Sequence, residues 1–279
     1  MRRTIAKDVS IEGVALHAGA TVHMTLSPAD AGTGIVFRRR DLGDADIPAL
    51  YDKVCETRLG TVIASGHASV AVIEHLMAAV AGAEIDDLLV VLDGPEPPIL
   101  DGDALSYLAV LEQAGFREQP GERRAIKLLK RVEAMHLEAS AALVPADSYA
   151  FDFEIVFASA AIGTQRMDWR FSPDAFRRDI APARTFGFLQ ELEALNKAGL
   201  GRGASLDNTL ALDGDNVVNR DLMRFGDEFV RHKILDAIGD MALAGAPLIA
   251  RFEGRRSGHA LNNALLRKLF ADPSNFALA

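Results

Sequence analysis

The 279-residue chain has a single cysteine, Cys55. One thiol cannot form an intramolecular disulfide or a cysteine-rich structural zinc site, and it suits a reducing compartment. Excess positive charge is also missing: 39 acidic against 30 basic side chains leave a formal net charge of −9. That balance argues against a nucleic-acid-binding surface, because neutralising phosphates needs a concentrated basic face. A small anionic substrate stays within reach, since a few local Lys and Arg residues can hold one phosphate group. No apolar run of about 18 residues occurs, so no transmembrane helix is expected. The basic start, Met1-Arg2-Arg3-Thr4-Ile5-Ala6-Lys7, runs into Asp8, Glu12 and Gly13 without the apolar core of a secretory signal. We therefore expect a cytoplasmic protein that could visit a membrane surface to collect a lipid-like substrate; a monomer is a separate expectation that composition does not decide.

With 49% hydrophobic and 25% charged residues, the chain has the composition of a folded globular protein and enough length for one large domain or two ordinary ones. β-like segments at Thr4–Val9, Ala20–Ser27 and Gly34–Arg38 precede a helical pattern over Ser69–Ala83, with Val70, Ile73, Met77 and Val80 on one face. Leu88–Leu92 reads as a buried strand, and Ala104–Ala114 as a helix closed by Gly115. The polar stretch Arg117–Arg124, with Pro120 and Gly121, is the best boundary, dividing the chain into 1–121 and 122–279. Strands follow at Ala125–Leu129, Val132–Leu137, Ala141–Val144 and Ala150–Phe157, a helix at Asp174–Ile180 and another at Phe229–Leu243. Last come a strand at Leu248–Glu253 and a helix at His259–Phe270, with Ser257 as its expected N-cap. Each half runs from strands to helices, which predicts an α+β protein of two similar layers packed face to face.

The densest chemistry lies in Phe229–Asp240. On a helix, His232 and Asp236 stand one turn apart on the same side, two thirds of a three-ligand metal site with an open position for water. Asp240 lies roughly 12 Å along the axis from His232, too far to share the ion, and should orient another group. A solvated or salt-bridged helix face is the competing reading of this stretch. Glu74-His75 is the second site: burying both within an apolar helix costs several kcal/mol unless they are bound or paired. His75 would complete a His/His/Asp set and leave Glu74 beside a metal-bound water. His259 reads either as the satisfied imidazole of a capped helix start or as a general acid held by a carboxylate, for which Asp240 is free. His23 and His136 read as strand-surface residues and His67 as a turn residue. Two histidines and a carboxylate also suit a non-haem iron enzyme.

Seven collinear segments resemble the zinc-dependent UDP-3-O-acyl-N-acetylglucosamine deacetylase family of lipid A biosynthesis. They are Gly13–Gly19, Glu74–Met77, Pro95–Gly102, Ala183–Phe188, Ser205–Asn208, His232–Asp240 and Ser257–Asn263. The resemblance implies two similar α+β domains with the helices sandwiched between two sheets, and a metal-dependent amidohydrolase that releases acetate from a UDP-sugar substrate. It implies Zn2+, with Fe2+ as an alternative occupant, held by His75, His232 and Asp236. Glu74 would be the general base, Thr185 an oxyanion donor, and His259, oriented by Asp240, the cationic partner. Lys233, Phe186, Arg256 and His17 would lie along the sugar, phosphate and nucleotide. The chain departs from the family in having Ala158-Ser159-Ala160, where members often carry Asn-His-Pro, ahead of Ala161-Ile162. That departure bears on the nucleotide pocket and acyl passage near Phe157 and Ile162. A non-catalytic sugar-nucleotide-binding protein on the same scaffold is the alternative.

Overall fold

The computed structural model describes residues 1–279, the side chain of Glu193 excepted. In the first half, β1 (Val9–Val14) and β2 (Thr21–Pro28) form a hairpin, as do β3 (Ile35–Arg39) and β4 (Ala45–Pro48). Helix α1 (Glu74–Gly82) then leads to β5 (Leu88–Leu92), which inserts between the hairpins, antiparallel to β2 and parallel to β3, before α2 (Leu105–Ala114). The parallel pair requires a crossover, and α1 lies within it.

The second half repeats this order. Hairpins β6 (Val132–His136) with β7 (Ala139–Val144) and β8 (Ala150–Val156) with β9 (Thr164–Arg170) are followed by α3 (Glu228–Ala242). Strand β10 (Arg251–Arg255) enters antiparallel to β7 and parallel to β8, and α4 (His259–Ala271) closes the half. The sheet orders are β1-β2-β5-β3-β4 and β6-β7-β10-β8-β9. Alternation sets the faces: in β2, Val22, Met24 and Leu26 are buried while Thr21 and His23 are exposed. The helices cover the inner faces, α2 against β1, α3 against β8 and β9, and α4 against β6 and β7, and α1 packs on α3 between the layers. Leu76, Met77 and Val80 of α1 and Ile234, Ile238 and Met241 of α3 are buried in this seam. The expected α+β sandwich is the observed one.

Several local expectations need correction. The helix expected over Ser69–Ala83 begins only at Glu74, because Ala68–Val70 is a strand paired with Val62–Ser65 and Val72 has φ 55°. Val70 and Ile73 mimic helical spacing while packing from a strand and a connection. Leu248–Glu253 is not one strand: Leu248–Ile249 pairs with Ile126–Leu128, and β10 starts at Arg251 in another sheet. Ser257 does not cap α4, whose N-cap is Gly258; its hydroxyl donates instead to Asn262 Oδ1 at 2.9 Å. Part of the polar stretch after Gly115 is also ordered pairing, since Phe116–Gln119 lies antiparallel to Arg2–Ile5.

Candidate active site

Both helices of the central seam carry their chemistry where they touch. Gly239 makes the approach possible: a Cβ there would lie 2.0 Å from the Glu74 carbonyl oxygen. Glu74 and His75 open α1, and His232, Asp236 and Asp240 line the same side of α3; all five are buried.

His75, His232 and Asp236 converge, with their ligand atoms all within 4.8 Å of one another. Asp236 Oδ1 is 3.7 Å from His75 Nε2 and 3.3 Å from His232 Nε2, and the two rings meet edge to face at 5.0 Å. The His232 ring is oriented from behind by Nδ1, 3.1 Å from the Ala183 carbonyl, leaving Nε2 for the cluster. Burial and the neighbouring His232 push the His75 pKa down to about 3, so its imidazole is neutral, the form that binds metals. Burial alone would raise the Asp236 carboxyl, but neighbouring positive charge, Lys233 foremost, outweighs it and holds the group ionised. Its Oδ2 accepts from Lys233 Nζ at 2.6 Å, while its Oδ1 is buried without a hydrogen-bond partner. An ionised oxygen left unpaired among neutral imidazoles is costly unless a cation completes the group. Two nitrogens and one carboxylate oxygen match a three-ligand divalent site with an open position. This is a candidate metal site by its own chemistry.

Beside it stand two proton-carrying groups. Glu74 Oε2 accepts the Thr61 N–H at 2.9 Å; burial raises the carboxyl to about 7, against the opposing pull of His259. His259 Nδ1 lies 2.8 Å from Asp240 Oδ2, and its Nε2 faces Glu74 Oε1 at 3.8 Å and Asp236 Oδ2 at 4.0 Å. Burial would lower the His259 pKa, yet Asp240 and Glu74 raise it to about 9, so the imidazolium persists at neutral pH. Asp240 is fully engaged, accepting also from Asn262 Nδ2 at 2.8 Å and from the Thr61 hydroxyl at 2.5 Å.

The remaining candidates are spread more widely. Half-buried Thr185 donates its N–H to the Gly102 carbonyl at 2.8 Å; Gly102 is required there, with φ 77° and a notional Cβ 1.8 Å from the Asn208 carbonyl oxygen. Phe186 meets Phe229 edge to face at 5.0 Å and His232 at 6.1 Å. Arg256 is exposed and paired with Glu138 at 2.9 Å. His17 reaches no side chain of the cluster; its Nε2 bonds the Leu59 carbonyl at 3.1 Å. His23, His67 and His136 are exposed. Thr61 and Asn262 were not singled out as site residues; no local pattern marks Thr61, whose partners lie 13 and 179 residues away.

The chain matches the family profile described as UDP-3-O-acyl N-acetylglycosamine deacetylase over residues 2–271. The chain belongs to that family. Proteins named UDP-3-O-acyl-N-acetylglucosamine deacetylase are similar to it throughout. The one from Phenylobacterium zucineum is 47% identical over 275 residues, covering 98% of this chain and 94% of its own length. The Myxococcus xanthus protein is 45% identical, covering 99% and 88%, and that of Aliarcobacter butzleri 41%, covering 99% and 92%. Membership of a deacetylase family makes the buried cluster the candidate centre of an amide hydrolase. Among the described residues no helix is long and apolar enough to cross a membrane. In Ala158-Ser159-Ala160, Ser159 Oγ donates to the Gly214 carbonyl at 2.6 Å and the Ala160 N–H to Asp215 Oδ1 at 2.7 Å. Ala160 and Ala161 thereby line a cavity of about 460 Å³ with Asn216, Arg220 and Phe225.

Proposed function

We propose that the chain hydrolyses the N-acetyl group of a UDP-3-O-(3-hydroxyacyl)-N-acetylglucosamine, releasing acetate and a free amino sugar for lipid A biosynthesis. The observation that carries this reading is the buried grouping of His75, His232 and Asp236 with a raised carboxyl, Glu74, and a charged imidazole, His259. Zn2+ held by His75, His232 and Asp236 would polarise the acetamide carbonyl and lower the pKa of a bound water from about 15.7 towards about 7; the same donors accept Fe2+.

Glu74 takes the proton of the attacking water at Oε1, the oxygen that the Thr61 N–H leaves free. His259, fixed through Nδ1 by Asp240, presents Nε2–H to the negative charge that develops on the amide oxygen. The Thr185 hydroxyl serves as a second donor, a kind of contribution worth about 3 kcal/mol for a well-placed group. Proton delivery to the leaving nitrogen breaks the C–N bond, so water and amide become acetate and amine. Lys233 binds the sugar and phosphate side, Phe186 packs on the hexosamine, Arg256 binds near the nucleotide, and His17 supports substrate binding. Halves 1–121 and 122–279 act as two domains that each supply part of the centre, a division supported by their equal sheet orders. A cytoplasmic location is supported by the free, exposed Cys55.

The test is acetate release by the purified protein from that substrate. Release at many turnovers per protein is expected; a folded, metal-loaded protein that binds the substrate without releasing acetate would make it a binding protein.

A further inference from the structure

Thr61 is 2% exposed and ends the loop between the first two strands of a three-stranded sheet inserted between β4 and α1, formed by Val54–Glu56, Val62–Ser65 and Ala68–Val70. Its backbone N–H and its hydroxyl point to opposite halves of the protein. The backbone N–H donates to Glu74 Oε2 at 2.9 Å, and the hydroxyl donates to Asp240 Oδ1 at 2.5 Å, the length of a charge-assisted O–H···O⁻ bond. The loop itself is fixed. Gly60 has φ 144°, and a notional Cβ there would lie 2.9 Å from Glu74 Oε1, so no side chain intrudes on the free carboxylate oxygen. His17 holds Leu59 from the other side: its Nδ1 accepts the Gly201 N–H at 3.3 Å, which leaves the proton on Nε2 to donate to the Leu59 carbonyl at 3.1 Å.

From this geometry we infer that Thr61 is a positioning residue for the reaction, tying the proton acceptor Glu74 to the Asp240–His259 pair so that both face one substrate atom set. Asp240 accepts from three donors; Thr61 saturates Oδ1 and so turns Oδ2 towards His259 and Asn262. Without that hydroxyl Oδ1 is buried and unpaired, the carboxylate is held through Oδ2 alone, and Nε2 of His259 is less tightly directed. The backbone bond to Glu74 survives any side-chain change, so substitution isolates the Asp240 arm. The inference rests on the proposed deacetylation and deepens its assignment of roles.

Thr61→Val keeps the β-branched shape and removes the donor; Thr61→Ser keeps the donor. We expect Thr61→Val to lower kcat about ten- to a hundredfold, the range for a hydrogen bond to a charged group, with KM and bound metal unchanged. Thr61→Ser should recover kcat to within a few-fold of the parent. The effect should also vanish in a His259→Ala background, because Thr61 acts through His259. In the absence of substrate, proton NMR should show the hydrogen-bonded Nδ1 proton of His259 far downfield in the parent and in Thr61→Ser, and broadened or shifted upfield in Thr61→Val. An unchanged kcat and an unchanged Nδ1 resonance in Thr61→Val would overturn the inference, as would loss of metal or an equal loss in the His259→Ala background. A parent protein that shows the Nδ1 behaviour but releases no acetate would instead overturn the deacetylation reading.

Discussion

Gly239 of α3 sits against the backbone of Glu74 on α1 so closely that a methyl built on it would lie 2.0 Å from the Glu74 carbonyl oxygen. The contact is backbone to backbone, so no side chain can swing away to relieve it. Gly239→Ala must therefore push the two helices apart, and overpacking of this kind costs about 1–3 kcal/mol or more. We predict a lower denaturant midpoint together with weaker metal binding, measured by competition with a chelating dye. Loss of stability with metal affinity intact would mean that the ligand geometry does not depend on this approach.

Asp236 and Glu74 are both buried carboxylates, but only Asp236 directs an unpartnered oxygen at the two imidazoles. Asp236→Ala should abolish stoichiometric metal binding. Glu74→Ala should keep the metal and lose turnover by several orders of magnitude. Metal analysis of the two variants checks this, and loss of metal in both would make Glu74 a ligand.

The pH dependence follows from two raised groups. His259, held near pKa 9 against an ordinary 6.5, stabilises the fold fully below about pH 6.5 and stops doing so as pH rises through about 9. Glu74, near 7 against an ordinary 4.5, has the same sign, with its contribution complete below about pH 4.5 and lost above about 7. The metal-free protein should thus lose denaturant resistance progressively between about pH 5 and 9, and His259→Phe should flatten the upper part of that fall. With the proposed roles of Glu74 as proton acceptor and His259 as cationic donor, turnover should be bell-shaped in pH. A basic limb unchanged in His259→Ala would remove His259 from the role.

Arg256 is exposed and its only side-chain partner among the described residues is Glu138, itself exposed. Such a surface pair contributes about 0–1 kcal/mol to stability. Arg256→Ala should leave the unfolding transition unmoved and raise KM for the nucleotide substrate several-fold at constant kcat. A change in kcat at constant KM would place Arg256 outside nucleotide binding.

The candidate metal site was legible because α3 presents His232 and Asp236 at an i, i+4 spacing that survives any detail of packing, and the structure brings both to His75. Glu74-His75 was legible for a thermodynamic reason, two polar groups in an apolar run, and both proved 3% exposed. The start of α1 was not, since alternating Val and Ile serve strand and helix periods equally over a few residues. Strand β9 is weakly marked because it is an edge strand: of Thr164–Arg170 only Trp169 is buried, and its apolar alternation is limited to Met167 and Trp169. The equal sheet orders could not be read from residues, because topology is fixed by which strands pair and many sequences satisfy the same pairing. Each half also places a three-stranded insertion between its second hairpin and its crossover helix, here Val54–Val70 and Phe186–Val217. The first of these insertions brings Thr61 to Glu74 and Asp240, and long-range delivery of this kind leaves no local signature.

The central claim is that one metal ion held by His75, His232 and Asp236 drives amide hydrolysis. Its most direct test is to strip the protein with a chelator, confirm that it stays folded, and titrate Zn2+ back while following acetate release from the UDP-3-O-acyl-N-acetylglucosamine substrate. The account predicts no release when stripped and full recovery at about one equivalent. Undiminished release from the metal-free protein would contradict it.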